Sequence, residues 1–256
     1  MSSYTGYCYA GARPGVHVGL PAARLTAIVS LDGPVHTLRP PEPSQPAVVL
    51  EALVGGLHTR AAHLEELGSG RGIGMDLTPA GCRSLLGMPV SEIGGLVLPL
   101  DELLGPPGRD LLDRLHEAAS WSARFAILDD VLLRRRGRLR PVDSALRQAW
   151  TRLTGNRVQV NDVAAEVGYS PRHLTERFSR EYGLPPKTVA RLSRFDRSRS
   201  MLQVSDSPTL AAVATACGYA DQAHLAREWR EFAGASPTGW RANEDLLFVQ
   251  DERSRR

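Results

Sequence analysis

A short segment in the C-terminal part of the chain occurs twice, and this repeat restricts the fold more than any other feature. Residues 163–169 read VAAEVGY, and residues 213–219, fifty positions later, read VATACGY. Further along, four pairs of residues match at a separation of 51 positions, and both members of each pair are apolar or are typical turn residues. The pairs are Leu174 and Leu225, Phe178 and Trp229, Gly183 and Gly234, and Pro186 and Pro237. Such a fixed period predicts two copies of one supersecondary unit.

Each copy is predicted to be a helix, a glycine turn and a second helix. In the first copy, Gly168 can adopt the positive φ that ends a helix, and Ser170 followed by Pro171 is a typical helix start. In the second copy, Gly218 supplies the turn and Asp221 the helix cap. The second helix of each copy is anchored inward by apolar residues four positions apart. These are Leu174 and Phe178 in one copy, and Leu225 and Trp229 in the other.

One long helix is predicted between the two copies, because apolar or small residues recur there every three or four positions. They are Val189, Leu192, Phe195, Ser198 and Leu202. Two helices joined by a short glycine turn form the geometry that reads DNA, with the second helix in the major groove. A rigid spacer would let both second helices enter successive major-groove faces, about 34 Å apart, on one side of the duplex.

The excess positive charge lies in the same part of the chain. Residues 1–140 carry 14 arginines and 14 acidic residues, whereas residues 141–256 carry 17 basic and 14 acidic ones, which accounts for the net charge of +3. Within residues 171–199, eight basic and three acidic residues give a local charge of +5. A solvated helix face is the ordinary explanation of a charge run. On a helix-turn-helix pair it favours a polyanion, here double-stranded DNA, as the partner.

The outer faces of the two second helices supply the candidate base contacts. They are Arg172, His173, Thr175 and Glu176 in the first copy, and Gln222, Ala223, His224 and Arg227 in the second. Arginine suits O6 and N7 of guanine, and glutamine suits N6 and N7 of adenine, because each side chain can form two hydrogen bonds to one base. The alternative is a solvent-facing surface held by ion pairs between residues four positions apart.

Four further residues are candidate phosphate contacts, namely Ser170, Arg191, Arg194 and Arg199. Contacts of this kind fix the register of a protein on the duplex but carry no sequence information. For the three arginines, pairing with acidic side chains on the protein surface is the alternative.

The first 80 or so residues are predicted to be β structure. Apolar residues alternate in segments 25–31 and 73–77, which is the pattern of half-buried strands. Glycine and proline clusters separate these segments, at 32–34, 39–43 and 55–56. Short strands with such breaks predict a small sandwich or barrel, whose alternating residues line a pocket or, more simply, fill a core. The glycines of 70–74 are interpreted as strand edges or a bulge, since a phosphate-binding loop would need a following helix.

Helices are predicted from about residue 81 onwards. One helix face combines Leu111, Leu112, Leu115, Ala118 and Ala119, and a second helix capped by Ser120 combines Trp121, Phe125, Leu128, Val131 and Leu132. These stripes either pack within the chain or form an oligomer interface. The arginine-rich run 134–141 is interpreted as a linker.

The predicted organisation is therefore α+β. It consists of a β-rich domain at 1–104, a helical connector and linker at 105–140, a DNA-binding domain at 141–243 and a charged tail at 244–256.

From residue 142 to residue 241, about 40% of the chain, the sequence resembles the AraC/XylS family of bacterial regulators. The matching motifs are Ala149-Trp150 with Leu153, Val163-Ala164, Gly168-Tyr169-Ser170, Arg172-His173-Leu174 with Phe178, Gly183-Leu184-Pro185-Pro186, Arg191-Leu192 through Arg194-Phe195, Gly218-Tyr219-Ala220-Asp221-Gln222, Ser236-Pro237 and Trp240-Arg241. Glu176 departs from the pattern, because family members commonly carry a basic or polar residue there. An acid at this position either accepts a hydrogen bond from cytosine N4 or turns away from DNA.

The resemblance implies activation or repression at promoters by a homodimer whose N-terminal, cupin-like domain senses a small molecule. RNA polymerase would be a further partner if the protein is an activator. Two other hypotheses stay open: an effector-independent regulator whose N-terminal half serves only for oligomerisation, and an N-terminal enzyme fused to a DNA-binding module.

No catalytic, cofactor or metal site is predicted. His17, His36, His58 and His63 are the residues in the first half that come nearest to a metal set, but they lack a close His-x-His or His-Glu pair. The three cysteines, Cys8, Cys82 and Cys217, are far apart and are interpreted as reduced thiols. No membrane-spanning segment is predicted, since no run of about 18 apolar residues occurs. The expected location is the cytoplasm, in association with the nucleoid.

Overall fold

Two antiparallel sheets form much of the N-terminal half. The structure is a computed structural model that describes residues 3–135, 142–155, 158–204 and 208–244. The strands are β1 Ser3–Ala10, β2 Gly15–Gly19, β3 Leu25–Ser30, β4 Val35–Arg39, β5 Val48–Leu50, β6 Ala52–Gly55, β7 Ala62–Glu66, β8 Ser69–Leu77 and β9 Val97–Pro99. The first sheet has the order β1-β8-β3-β6-β9, and the second has the order β2-β7-β4-β5. Of the two predicted forms the sandwich is therefore right, since the strands do not close into a barrel.

The alternating residues of β3 and β8 fill the core, as predicted. Leu25, Ala27 and Val29 are completely buried, and Ala27 lies opposite Met75 in the antiparallel register. They belong to one buried cluster with side chains from the helices that follow, such as Leu112. The first sheet thus buries one face against helices, and this burial is the main source of its stability.

The glycines of β8 were expected at a strand edge or bulge, and this prediction is wrong. β8 lies inside the first sheet, hydrogen-bonded to β1 on one side and to β3 on the other. A Cβ atom on Gly72 would lie 2.6 Å from the carbonyl oxygen of Val29 and 2.5 Å from the hydroxyl of Tyr7. Glycine is present here because neighbouring groups approach the backbone closely.

The other regular elements in the described part of the chain are helices. They are α1 Pro79–Leu86, α2 Val90–Ile93, α3 Leu100–Leu104, α4 Pro106–Glu117, α5 Trp121–Arg135, α6 Ser144–Gly155, α7 Val160–Glu166, α8 Pro171–Tyr182, α9 Pro186–Leu202, α10 Leu210–Cys217, α11 Gln222–Ala233 and α12 Pro237–Glu244. The long helix between the copies is confirmed as α9. All five residues predicted for its inner face are buried. In the described part of the chain, none of these helices combines the length and the apolar character needed to cross a bilayer.

The connector helices are confirmed with two corrections. Ser120 accepts a hydrogen bond from the Ala123 amide at 3.2 Å and so caps α5. Helix α4 ends at Glu117, so Ala118 and Ala119 do not continue its apolar face. Ala118 is already extended, with φ −63° and ψ 126°, because the chain turns there.

The start of the predicted linker is also corrected. Arg134 and Arg135 form the last turn of α5, and the remainder of the run, 136–141, lies outside the described residues. The guanidinium of Arg135 donates hydrogen bonds to the carbonyl of Leu85, at 2.7 Å, and to that of Leu104. These bonds attach the end of α5 to the N-terminal domain. The aromatic residues of α5 also pack within the chain, since Phe125 lies 5.3 Å from the ring of Tyr4.

The first helix-turn-helix unit packs directly on the N-terminal domain. Arg83 of α1 pairs with Glu181 of α8 at 2.8 Å, and Arg24 pairs with both Asp76 and Asp196 of α9. Buried residues of both regions form one continuous hydrophobic cluster, whereas the second unit has a cluster of its own. The first unit therefore shares its hydrophobic core with the N-terminal domain, although the sequence predicts that a separate domain begins at residue 141.

Candidate nucleic-acid interface

Both copies of the repeat form the same glycine turn. Gly168 has φ +74° and Gly218 has φ +80°, so both residues are in the left-handed region that favours glycine. After each glycine, the tyrosine amide donates to a carbonyl five residues earlier, at 2.8 Å, from Tyr169 to Ala164 and from Tyr219 to Ala214. The predicted helix–turn–helix geometry is confirmed in both copies.

The predicted caps of the second helices are also present. Ser170 Oγ accepts from the His173 amide at 3.2 Å, and Pro171 is in the first turn of α8. Asp221 Oδ1 accepts from the His224 amide at 2.6 Å at the start of α11. A carboxylate at this position also interacts favourably with the partial positive charge of the helix N-terminus.

Replacing Asp221 with alanine is expected to lower the free energy of unfolding by about 1 kcal/mol, because the first turn of α11 loses its side-chain acceptor. Denaturant titration followed by circular dichroism measures the change. Asp221→Asn keeps an acceptor at the cap and is expected to lose less than the alanine variant. Equal losses for both variants would show that the cap is not the source of the effect.

On α8, two of the candidate base contacts pair with each other. Leu174 and Phe178 are completely buried and direct the opposite face of the helix outwards. Arg172 Nε lies 3.0 Å from Glu176 Oε1, with 89% of the Arg172 side chain and 56% of the Glu176 side chain exposed. The hydroxyl of Thr175 donates to the carbonyl of Pro171 at 2.8 Å. This face is held by the ion pair between residues four positions apart that was the alternative to base contact.

The remaining candidate base contacts differ in whether their side chains are held by contacts within the protein. His173 packs its ring edge-on against Tyr169, with the ring centroids 4.7 Å apart. His224 occupies the equivalent place against Tyr219, at 5.3 Å, and its Nδ1 accepts from the Ala220 amide at 3.3 Å. Gln222, Ala223 and Arg227 are exposed on α11. Arg227 and Gln222 are therefore the long polar side chains on α11 that are best placed to reach a ligand.

The three candidate phosphate-binding arginines are engaged with carboxylates inside the protein. Arg191 Nε lies 2.9 Å from Glu228 Oε2, and Arg191 Nη2 lies 2.5 Å from Glu231. Arg194 Nη2 lies 2.6 Å from the same Glu228 oxygen, and Arg199 Nη2 lies 2.8 Å from Asp196. Arg191 also stacks over the ring of Phe232, 4.8 Å from its centroid. The structure thus favours the pairing alternative for these side chains, and a phosphate contact would have to compete with these bonds.

Glu228 is a buried charged residue that the sequence analysis did not single out. Its side chain is 2% exposed and accepts hydrogen bonds from two arginines of α9, so it fixes the second recognition helix, α11, to the connecting helix. Burying a carboxylate is costly unless it is paired, and here two guanidinium groups provide the pairing.

The repeat itself held a signal for this ion pair. In the first unit, Arg177 of α8 pairs with Asp143 at 3.0 Å. Adding 51 to each number gives Glu228 and Arg194, which form the corresponding pair in the second unit with the charges exchanged. The tyrosine of each turn joins the pair, as Tyr169 donates to Asp143 at 3.3 Å and Arg194 lies over the ring of Tyr219 at 4.6 Å. Each unit therefore attaches its recognition helix to a residue 34 positions earlier, which lies just before α6 in the first unit and in α9 in the second.

Burial also decides the ionisation of two groups near this pair. It raises the pKa of the Tyr219 phenol well above its ordinary value, and the Glu228 carboxylate adds to the effect. It likewise raises the pKa of the Cys217 thiol. Both groups are therefore uncharged at neutral pH.

A groove of about 850 Å³ lies between the start of α7, one side of α9, and the turn before α11 together with α11 itself. Its basic lining comprises Lys187, Arg191, Arg194, Arg197 and Arg227, and its acidic lining comprises Glu228 and Glu231. Five basic residues against two acidic ones leave the groove with a positive balance. Lys187 is exposed and was not among the predicted phosphate contacts.

The four N-terminal histidines are on separate strands and loops. His36 pairs with Glu65 at 2.6 Å, and His58 Nδ1 lies 2.5 Å from the carbonyl of Arg60. His17 and His63 are in β2 and β7 of the second sheet. In residues 3–135 and the other described ranges, no three histidine, cysteine or acidic side chains come together in a way that would hold a metal ion.

Comparison with known proteins agrees with this arrangement. A family model for a helix-turn-helix domain matches residues 163–243. Over 157 residues the chain is 26% identical to the arabinose operon regulatory protein of Escherichia coli strain K12, covering 56% of this chain and 53% of that protein. The corresponding protein of Salmonella typhimurium is also 26% identical, with 56% of each chain covered. The match thus spans about half the length of these curated relatives.

Solved structures show that the fold extends beyond the helix-turn-helix units. Wild-type ToxT from Vibrio cholerae strain SCE256, bound to an unsaturated fatty acid, superimposes with a TM-score of 0.56. The alignment covers 98% of this chain and 99% of that one, at 10% identity. A second ToxT crystal form gives a TM-score of 0.52 over 94% of this chain. At this identity the likeness shows the fold alone, which is a cupin-like N-terminal domain followed by a helix-turn-helix domain.

Proposed function

We propose, from the premise that the C-terminal half places this chain in the AraC/XylS family of transcription regulators, that it regulates promoters by binding duplex DNA with α8 and α11. The observation that carries the proposal is the pair of equivalent helix-turn-helix units, each with its recognition helix exposed along one face and held by an ion pair to a residue 34 positions earlier. The positively lined groove between the units supports it, since it offers charge for the DNA backbone that would pass between two major-groove contacts. Catalysis is not part of the proposed function.

Selection of binding sites from a random duplex library tests this proposal. We expect enrichment of a bipartite site whose two halves are about one helical turn apart, because α9 holds the two recognition helices at a set separation. Affinity for the selected duplex should fall steeply with salt concentration, as the neutralised phosphates release their counterions. The proposal would be contradicted if the protein enriched no DNA sequence, or if its affinity for DNA did not change with salt concentration.

Arg227→Ala is expected to cost about 1–3 kcal/mol of binding free energy on the selected site and to relax the preference at one base pair. Lys187→Ala, on the groove wall, is the matched comparison: it should weaken all sequences alike and reduce the salt slope by about 1. Binding curves for the selected duplex and a scrambled one distinguish the two outcomes. If Arg227→Ala weakened both duplexes equally, Arg227 would be a phosphate contact rather than a base contact.

The remaining parts of the proposed function follow the family pattern. We propose that the protein acts in the cytoplasm at the nucleoid as a homodimer, and that it contacts RNA polymerase if it activates transcription. We further propose that the N-terminal domain responds to a small molecule. Thermal denaturation against a metabolite panel tests this response, because a ligand that binds the native state alone raises the melting temperature. If no compound in the panel raised the melting temperature, the result would favour an N-terminal domain that serves only for oligomerisation.

A further inference from the structure

A cleft of about 430 Å³ lies between the N-terminal domain and the second helix-turn-helix unit. One wall is formed by the end of β4, the following proline-rich loop and the start of β7, and the other by the C-terminal end of α11. The volume falls within the range of small-molecule sites. The position matters because the second wall belongs to a recognition helix, so an occupant would contact both domains at once.

The N-terminal wall carries two cations that are not committed elsewhere. Arg39 and Arg60 line the cleft and are exposed, and no hydrogen bond or ion pair of either guanidinium is found in the described part of the chain. Most other arginines described above are engaged by carboxylates or carbonyls. Two guanidinium groups on one wall form a typical site for a carboxylate, since each can donate two parallel hydrogen bonds.

The other polar groups around the cleft leave this charge largely uncompensated. Glu231 on the opposite wall is already paired with Arg191. Glu42 offsets part of the charge of Arg60 without forming an ion pair with it in the described part of the chain, and its carboxylate accepts hydrogen bonds from the amide and hydroxyl of Ser44, at 3.2 and 2.9 Å. Gln45 uses both ends of its amide on the backbone of Val97, which fixes the loop against β9.

His63 adds a neutral polar group to the same wall. Burial, and then the charge of Arg39, lower the pKa of its imidazole, so the ring is uncharged at neutral pH. Its Nδ1 is buried without a hydrogen-bond partner among the described residues. A buried ring nitrogen of this kind is costly to leave unpaired.

Apolar side chains line the remainder of the cleft. They are Leu38, Pro40, Pro41, Pro43, Ala47, Ala61, Phe232 and Ala233. Leu38 is 42% exposed, so a ligand in the cleft could bury part of its apolar surface. The cleft therefore presents cations on one side and an apolar surface on the other.

We propose that this cleft binds a small monocarboxylate with an apolar body, its carboxylate between Arg39 and Arg60 and its body against Leu38 and the proline loop. The inference rests on the proposed function in one respect: the bound carboxylate would be the small molecule to which the regulator responds. Because Phe232 and Glu231 belong to α11, an occupant would act on the position of the second recognition helix.

Isothermal titration of the full chain with hexanoate and phenylacetate tests the site. We expect saturable binding of one molecule per chain and little binding of the matched amides, hexanamide and phenylacetamide. The double variant R39Q/R60Q should weaken carboxylate binding at least about tenfold, since charge-assisted hydrogen bonds are lost. Arg13→Gln, which removes an exposed arginine outside the cleft, should bind like the unchanged protein.

Leu38→Glu provides a second variant, which places a negative charge at the cleft and should also weaken binding. Circular dichroism of each variant checks that the fold is intact. Failure of both carboxylates to bind, equal binding of acids and amides, or unchanged binding by R39Q/R60Q would overturn the proposed site. DNA selection on the same samples separates the two proposals. If the protein enriches a DNA sequence but binds no carboxylate, only the cleft site is overturned. If it binds a carboxylate but enriches no DNA sequence, the proposed function is overturned.

Discussion

Glu228→Ala is expected to lower the free energy of unfolding of the second helix-turn-helix unit by about 3 kcal/mol. Removing one partner of a buried ion pair typically costs about 3–5 kcal/mol, because the opposite charge stays behind without compensation. The low end applies here, since the side chains of Arg191 and Arg194 are 28% and 21% exposed and keep part of their hydration. Arg191 also retains Glu231. Denaturant titration monitored by tryptophan fluorescence measures the loss, because Trp229 and Trp240 lie in this unit.

Two variants serve as controls for this prediction. Glu228→Gln keeps the shape and one acceptor, so its loss should be intermediate. Glu176→Ala removes the exposed partner of Arg172 and should change stability by no more than about 0.5 kcal/mol, since exposed pairs contribute little. A Glu228→Ala protein as stable as the unchanged one would mean that the buried carboxylate contributes nothing to the stability of this unit. Site-specific DNA binding should fall with Glu228→Ala, because α11 is no longer attached to α9.

Trp229→Ala is expected to be the most damaging single substitution in the second unit, at about 3–5 kcal/mol. Trp229 is completely buried between Phe195 and Trp240, with ring centroids 4.8 and 4.9 Å away, and its Nε1 donates to Ser198 Oγ at 2.9 Å. Alanine would leave a large cavity and remove this hydrogen bond.

The loss should fall mainly on the second unit, since its fully buried residues form a cluster separate from the one that joins the N-terminal domain to the first unit, and only partly buried side chains such as Ala23 and Leu184 pack against both. Limited proteolysis should therefore cut after α9 while leaving the N-terminal domain and the first unit protected. Trp150→Ala is the matched control: Trp150 stacks on Phe178, 5.9 Å away, in the first unit, and its loss should spare the second. If Trp229→Ala exposed cleavage sites throughout the chain, the two clusters would not be independent.

Local signals explain what could be predicted from the residues. The two glycine turns, the Ser170 and Asp221 caps, the inner face of α9 and the buried face of β3 are all confirmed, because each depends on backbone conformation or on a period of 3.6 or 2 within a few residues. The candidate base contacts on α8 and α11 follow from the same reasoning. They stay predictions.

Long-range contacts explain what was missed. Glu228 meets Arg191 and Arg194 from positions 37 and 34 residues away, so three residues that the charge pattern treated separately form one buried cluster. Arg135 was assigned to a linker, yet it is bonded to carbonyls of α1 and α3. Gly72 was placed at an edge, because the pairing of β8 on both sides depends on strands far away in the chain.

The residues by themselves determined that this chain ends in two helix-turn-helix units joined by a stiff helix, because turns, caps and apolar periods act over one or two helical turns. Only the tertiary structure decided which arginines remain available to a ligand, that the first unit shares its core with the N-terminal domain, and that Arg39, Arg60 and His63 face α11 across a cleft. Those properties depend on contacts between residues that are far apart in the sequence, and such contacts form only when the whole chain packs.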